Sequence, residues 1–464
     1  MKAIKIPIIL KKFNEFFIEA GFDAYLVGGS VRDIFLGKKP HDYDVATNAT
    51  PQQVMKIFKK VIPTGIQHGT VTVLFYNEKI EVTTFRIEDD YSDARHPDNI
   101  KFASTIEEDL SRRDFTMNAI AISLTNENIV DSFNGKKDIK NKLIRTCGDP
   151  EKRFNEDGLR PVRAIRFASQ LGFTIEKETF DAIPKSIDKT AQISIERFRD
   201  EFTKLLKSDK PSVGLKLLEK TNLLLLFIPE LTQCRNVTQA DERGYHMFDI
   251  LDHLFFSCDG APKDNIVVRL AALFHDVGKY ETRNEEIKQD ITGKQINAIT
   301  FYGHEKKSVK ITEKILKRLK FSNKIVTSTL HLIENHMFHY ESNWKDSAVR
   351  RLIKKVGLEN FDDLFDLRLA DVYGMTNSKP IIGNNRWTEN LIELKERIKK
   401  EVENNNAFTL KDLAINGKDL IDLGIKNGKM IGYILNKLLE SVLDDPKMNN
   451  KTKLIEIAKK LADV

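Results

Sequence analysis

Cysteine is scarce: Cys147, Cys234 and Cys258 are the only three in 464 residues. They are odd in number, far apart and without metal-ligand spacing. That excludes a disulfide framework and points to a reducing compartment. No apolar run approaches the ~20 residues of a membrane span. The apolar start, Met1-Lys-Ala-Ile-Lys-Ile-Pro-Ile-Ile-Leu10, is too short for a signal peptide. It continues into Lys11-Lys12-Phe-Asn-Glu15-Phe-Phe, which reads as an amphipathic helix. Internal repeats and low-complexity segments are also missing. These absences lead us to expect a cytoplasmic protein with no membrane contact. No protein partner is inferred.

What is present is ordinary globular composition: 41% hydrophobic and 31% charged residues, enough chain for several domains. The net charge is +6. Local basic stretches such as Arg160 to Arg166, Arg350 to Lys355 and Lys395 to Lys400 suit RNA, or simply a solvated helix face. Residues 1–145 mix strand and helix. Val71-Thr-Val-Leu-Phe-Tyr and Ile80-Glu-Val-Thr-Thr-Phe-Arg86, joined at Asn77-Glu78, read as a β-hairpin. After Asp149-Pro150 nearly every segment has helical periodicity. Thr232–Gly244 reads as a polar connector, and Asn377–Arg386, with Pro380 and Gly383, as a second break.

The most informative stretch is Tyr25-Leu-Val-Gly-Gly-Ser-Val-Arg-Asp33 followed by His41-Asp-Tyr-Asp-Val45. A strand enters a glycine turn, a helix leaves it, and a second strand carries Asp-x-Asp. Gly28 and Gly29 at a helix entrance let backbone N–H groups approach a phosphate. Asp42 and Asp44, two apart on a strand, face one way and make an oxygen-rich seat for Mg²⁺. If the hairpin lies alongside, Glu81 supplies a third carboxylate, completing the set for two-metal phosphoryl transfer.

Further along, Arg112 and Arg113 can face phosphate. Asp114 and Asn118, read as four apart on a helix, suit a ribose hydroxyl; capping and a surface salt bridge would explain them equally. Asp157 and Arg160, read as sharing a helix face, offer an acceptor beside a donor fork. Cytosine and adenine both present an amino donor beside a ring-nitrogen acceptor, so this pair can accept C and A and reject G and U. The alternative is a surface ion pair worth under ~1 kcal/mol.

These stretches resemble class II tRNA nucleotidyltransferases, the family of CCA-adding enzymes and bacterial poly(A) polymerases. The resemblance rests on Gly28-Gly-Ser-Val-Arg-Asp33 with Asp42-Tyr-Asp44, Arg112-Arg-Asp-Phe-Thr-Met-Asn-Ala119, Asp131-Ser-Phe-Asn-Gly-Lys-Lys-Asp-Ile139, Glu156-Asp-Gly-Leu-Arg160 with Arg163 and Arg166-Phe, and Ser194-Ile-Glu-Arg-Phe-Arg-Asp-Glu201. These run in family order over residues 24–205. The hinge motif departs slightly, ending Asp138-Ile where Asp-Leu is commoner. The resemblance implies Mg²⁺ at Asp42 and Asp44 with Glu81 as third acid. It places the ribose at Asp114 and base selection at Asp157 and Arg160, and it adds Arg32, Arg163 and Arg166 to the nucleotide contacts. Asp131–Ile139 would be a hinge, and the Glu196–Glu201 helix would support the base-selecting one. The Arg86–Phe102 loop looks full length, which favours complete CCA addition over CC addition.

The helical half carries a second constellation. His275-Asp276, Asp252-His253, His304, His336 and Asp371 offer imidazole and carboxylate donors, which suit a divalent transition metal able to activate water. Their order resembles the HD-domain phosphohydrolase pattern. That resemblance assigns the ligands to His253, His275, Asp276, His304, His336 and Asp371, with His246 as a competing first ligand. A helical RNA-binding body with an unused site is the alternative. The tail, with Gly417, Gly424, Gly428 and Gly432 flanking helix entries, resembles the family's tRNA-contacting region, though a plain packing unit would look alike.

The expected protein is therefore α+β: a polymerase-β-like nucleotidyltransferase head (1–145) followed by all-α neck (146–235), HD (236–380) and tail (381–464) domains. The expected activity is template-independent addition of C, C and A from CTP and ATP to tRNA. Poly(A) addition, partial CC or A addition, and an HD phosphohydrolase with an RNA-binding head remain as rivals.

Overall fold

The computed structural model describes residues 6–40, 42–89, 99–239, 247–289, 293–378, 386–404, 406–425 and 427–462. The chain forms two compact units, Met1–Gln233 with Ile315–Phe321, and Cys234–Lys314 with Ser322–Val464.

The first unit is built on a seven-stranded sheet. Its strands are β1 (Ala24–Val27), β2 (Tyr43–Thr47), β3 (Val61–Gly65), β4 (Thr70–Phe75), β5 (Glu78–Thr84), and, beyond a small ribbon of β6 (Arg86–Asp89) and β7 (Asn99–Phe102), β8 (Ala121–Ser123) and β9 (Ile129–Val130). The order is β3-β4-β5-β2-β1-β8-β9. The expected hairpin is β4–β5, its β-branched positions Val71, Val73, Ile80 and Val82 all buried. Neighbours pair antiparallel except β2 with β5, which run parallel. Helix α1 (Ile8–Glu19) buries Leu10, Phe13 and Phe17, and Phe13 stacks on Phe58 with centroids 4.5 Å apart. The loop expected over Arg86–Phe102 begins and ends in the β6–β7 ribbon, and residues 90–98 lie outside the described residues.

From Pro150 the first unit is mainly helical. Helices that serve the site are α2 (Gly28–Phe35), α3 (Pro51–Ile57), α4 (Ile106–Ser111), α5 (Gly135–Lys140), α6 (Pro150–Glu156) and α7 (Arg160–Leu171), with Ile195–Leu206 packed on the last. In the second unit the Ile250–Gly260 and Phe361–Thr376 helices lie so close that a Cβ on Gly374 would sit 2.1 Å from Ser257 Oγ. The all-helical expectation misses a two-stranded ribbon, Asn284–Gln289 with Gln295–Thr300. A separate cluster of Ile415, Leu420, Ile434, Leu438, Leu439, Val442 and Leu454 forms the core of the C-terminal helices. No described helix is long and apolar enough to cross a membrane. All three cysteines are buried and free.

Candidate functional sites

The head site begins where β1 ends. Gly28 has φ +69, a conformation that L side chains rarely adopt, and a Cβ there would meet Asp44 Oδ2 at 3.1 Å. Glycine therefore permits both the turn and the approach of the backbone to the acid. Val27 is the register partner of Asp44 in β1–β2, and Asp44 is the partner of Glu81 in β2–β5. The strand adjacency needed for three converging acids is present. One detail differs: Asp42 lies just before β2 rather than within it, and its carbonyl accepts a 2.7 Å bond from Ser30 Oγ. Burial, and then the charges of Glu81 and Asp42, push the Asp44 carboxyl up to about 6, with Arg113 and Arg32 opposing. Acids that repel one another in this way fit a divalent cation.

A cavity of about 470 Å³ opens on these residues. It is lined by Gly28, Gly29, Asp44 and Glu81 on one side and by Arg32, Arg112, Arg113, Asp114, Asn118 and Arg163 on the other. The basic wall is a continuous network. Arg32 Nη1 donates to Asn118 Oδ1 (3.0 Å), Asn118 Nδ2 to Asp114 Oδ1 (3.2 Å), and Arg163 Nε and Nη2 to Asp114 Oδ2 (2.9 and 2.7 Å). Burial pushes the Asp114 carboxyl up, but Arg163 and Asn118 outweigh it and hold it at about 2. Arg166 Nε donates to Glu201 at 2.6 Å, and its guanidinium lies 3.4 Å from the Phe167 ring centroid.

Two expectations about local structure are corrected. Asp114 and Asn118 do not share an α-helix: Phe115 bridges to Thr146 in extended form, and Thr116–Asn118 is a short 3-10 turn. The two side chains meet all the same. Asp157 and Arg160 do not share a helix face either. Asp157 has φ −136 at the end of α6, and Arg160 opens α7. The break is forced by packing, since a Cβ on Gly158 would sit 2.4 Å from the Lys189 carbonyl. The Asp157 carboxylate takes bonds from Leu159 N (3.0 Å) and Arg197 Nη2 (2.8 Å). The Arg160 guanidinium donates to Glu156 Oε2 (2.5 Å), Arg153 O (3.0 Å) and Arg112 O (3.0 Å). Neither residue lines the cavity. Thr70, Thr83, Arg86 and Phe167, which do line it, were not singled out from sequence. Phe167 follows Arg166 in a quoted motif, and Thr83 shares a strand face with Glu81, so both carried a signal.

In the second unit all six expected HD residues come together, and all are buried. His246, the competing first ligand, lies outside the described residues. His253 and Asp371 face each other across the close helix pair, Nε2 to Oδ1 3.3 Å. His275 and Asp276 follow the end of the Ile266–Phe274 helix rather than lying within it. The Nδ1 atoms of His275, His304 and His336 face the carbonyls of Ala272, Phe301 and Ile333 at 3.0, 2.8 and 2.7 Å. A carbonyl only accepts, so each Nδ1 carries a proton, and each Nε2 turns inward. The Nε2 atoms converge: His253 to His275 at 3.2 Å, His304 to His336 at 3.3 Å. Ring nitrogens that meet beside carboxylates suit a positive centre between them. The donors form two groups, His253, His275, Asp276 and Asp371, and Asp276, His304 and His336, joined by the one carboxylate. Burial pushes the His275 imidazole down, but Asp276 and Asp371 outweigh it and pull it up to about 10. Lys279, in the same His-Asp-Val-Gly-Lys run, was not singled out; its Nζ reaches Asp276 Oδ2 at 2.6 Å.

Three family models match the chain: "Poly A polymerase head domain" over residues 24–145, "Probable RNA and SrmB- binding site of polymerase A" over 172–234, and "HD domain" over 243–376. The CCA-adding enzyme of Ligilactobacillus salivarius is 35% identical over 459 residues, which is 98% of this chain and 96% of that protein. The CCA-adding enzyme of Pediococcus pentosaceus is 33% identical, covering 96% of this chain and 95% of its own. Among solved structures, the Bacillus stearothermophilus CCA-adding enzyme in complex with CTP matches with a TM-score of 0.72 and 27% identity, over 98% of this chain and 97% of that one.

Proposed function

The chain belongs to the CCA-adding enzyme family, and we propose that it adds C, C and A in turn to the 3′ end of tRNA, from CTP and ATP and without a nucleic-acid template. The observation that carries this reading is the register of Asp44 against Glu81 at a cavity lined by arginines, with Asp42 two residues before Asp44 and outside that lining. Membership of the family implies use of a divalent metal, and the burial and neighbouring acid charges that lift Asp44 suit Mg²⁺ at Asp42, Asp44 and Glu81. When bound there, the metal supplies activation of the attacking 3′ hydroxyl and neutralisation of the departing pyrophosphate. The remaining work falls to the chain's own groups. Gly28 and Gly29 offer backbone N–H groups to phosphate, and Arg32, Arg112 and Arg113 balance its charge. Asp114, fixed by Arg163 and Asn118, takes a ribose hydroxyl as an ionised acceptor. Asp157 accepts the base's amino proton, and Arg160 donates to the ring nitrogen. Each of the two is held by a neighbour, Asp157 by Arg197 and Arg160 by Glu156. The domain division that goes with this reading is head 1–145, neck 146–235, HD 236–380 and tail 381–464, with Asp131–Ile139 as hinge. The test is direct. Purified protein, tRNA ending before its CCA, and labelled CTP and ATP should give a product that stops after three nucleotides. Long tails from ATP alone would favour poly(A) addition, and a stop after two would favour partial addition.

The inward-facing Nε2 atoms favour a second activity. The HD cluster would hold one or two divalent transition metal ions, with Asp276 shared, and would hydrolyse phosphomonoesters or cyclic phosphates.

A further inference from the structure

We propose that Asp109 is a positioning residue that sets Arg112 and Arg113 side by side in the nucleotide cavity, where they hold the triphosphate of CTP and ATP alike; this rests on the nucleotide-adding reading of the head. Asp109 lies on α4, a short helix fixed at its start by the Thr105–Glu108 capping box. Arg112 is the C-cap of that helix and Arg113 follows it, so the helix does not fix where either side chain points, yet both line one cavity. Each Asp109 carboxylate oxygen takes one guanidinium edge: Oδ1 from Arg112 Nε (3.0 Å) and Nη2 (2.6 Å), Oδ2 from Arg113 Nε (3.3 Å) and Nη2 (3.0 Å). The carboxylate is wholly buried beside Ile106 and Leu110, while the arginine side chains keep 15% and 17% exposure. It therefore acts on a ligand only through the arginines. A buried carboxylate is costly unless paired, and these two cations are its pairs. Arg113 also stands close enough to Asp44 to oppose the rise of its carboxyl, so one wall of the clamp borders the acids.

The experiment is steady-state kinetics on the full chain with tRNA lacking its CCA end. Asp109→Asn keeps the shape and removes the charge. KM for CTP and for ATP should rise equally, by about tenfold or more, with a smaller fall in kcat and an unchanged preference for CTP over UTP. Parental KM values, or unequal rises for the two nucleotides, would overturn the proposal. Arg113→Lys preserves the charge but not the fork that engages Asp109. It should raise KM in the same way, and it serves if Asp109→Asn does not fold; parental KM in this variant would overturn the alignment role. In an Arg112→Gln/Arg113→Gln background, Asp109→Asn should add nothing, whereas an additive loss would indicate a purely structural role. Should the parent transfer no nucleotide at all, the functional reading fails by itself. Calorimetric binding of Mg-CTP then separates the two questions: about tenfold weaker binding by Asp109→Asn supports the clamp, and equal binding overturns it.

Discussion

Asp44→Asn should make the protein more stable and useless as a polymerase. Burial and the charges of Glu81 and Asp42 lift this carboxyl from 3.8 to about 6. A folded state that raises an acid's pKa binds the proton more tightly than the unfolded chain does. The contribution of Asp44 to stability is therefore most favourable below about pH 4, falls as pH rises through about 6, and stays low above it. The lift corresponds to a cost of ~3 kcal/mol once Asp44 is ionised. Asparagine keeps the shape and has no charge to lose. Urea unfolding in EDTA at about pH 7.5 should show the variant more stable by ~1–3 kcal/mol, with the advantage gone near pH 4. Mg²⁺ should stabilise the parent, because it binds the folded state, and should scarcely affect the variant. Nucleotide addition should fall ~10³-fold or more, since positioned metal carries most of the phosphoryl-transfer barrier. A variant no more stable than the parent at about pH 7.5, or equally favoured at about pH 4, would refute the electrostatic reasoning. Retained addition would remove Asp44 from the catalytic set.

Gly28→Ala places a methyl 3.1 Å from Asp44 Oδ2 at a φ of +69, and should cut addition more than tenfold while lowering the melting temperature by several degrees; near-parental activity would mean the turn can relax. Asp157→Arg replaces an acceptor with a donor and should shift the incorporation ratio of CTP and ATP against UTP and GTP by ~1–3 kcal/mol; an unchanged ratio would make the Asp157–Arg197 bond merely structural. Asp276→Ala removes the carboxylate common to both HD donor groups, so elemental analysis should find the transition metal lost while CCA addition survives. In the parent, that metal should bind more weakly as pH falls, because the proton on His275 competes for the same position. A parent with no metal and no hydrolysis of nucleotide or cyclic-phosphate substrates would leave the second unit as an RNA-binding body.

The interiors of elements were legible from sequence and their ends were not. Alternation in Val71–Phe75 and Ile80–Thr84 announced β4–β5, and the strand–Gly-Gly–helix order announced the phosphate-facing turn. The ribbon at Asn284–Gln289 was missed because that strand has a single apolar residue, the exposed Ile287, although its partner Gln295-Ile-Asn-Ala-Ile-Thr300 alternates with period two. Asp157 was assigned to a helix that Gly158 interrupts for close packing on Lys189, and Pro161, one residue into α7, was a start signal left unused. Several candidate site residues sit at just such ends: Gly28 after β1, Asp42 before β2, Asp157 between two helices, His275 and Asp276 after one helix and His304 opening another. At an end no neighbouring turn dictates where a side chain points. A specific partner does so instead, such as Asp109 for Arg112 and Arg113, Arg197 for Asp157, or a backbone carbonyl for each of His275, His304 and His336. Spacing along the chain can nominate donors and acceptors, but their directions are set by partners up to 86 residues away, as with Arg32 and Asn118. That is why candidate donors and acceptors could be named from the sequence while the directions of Asp157 and Arg160 could not.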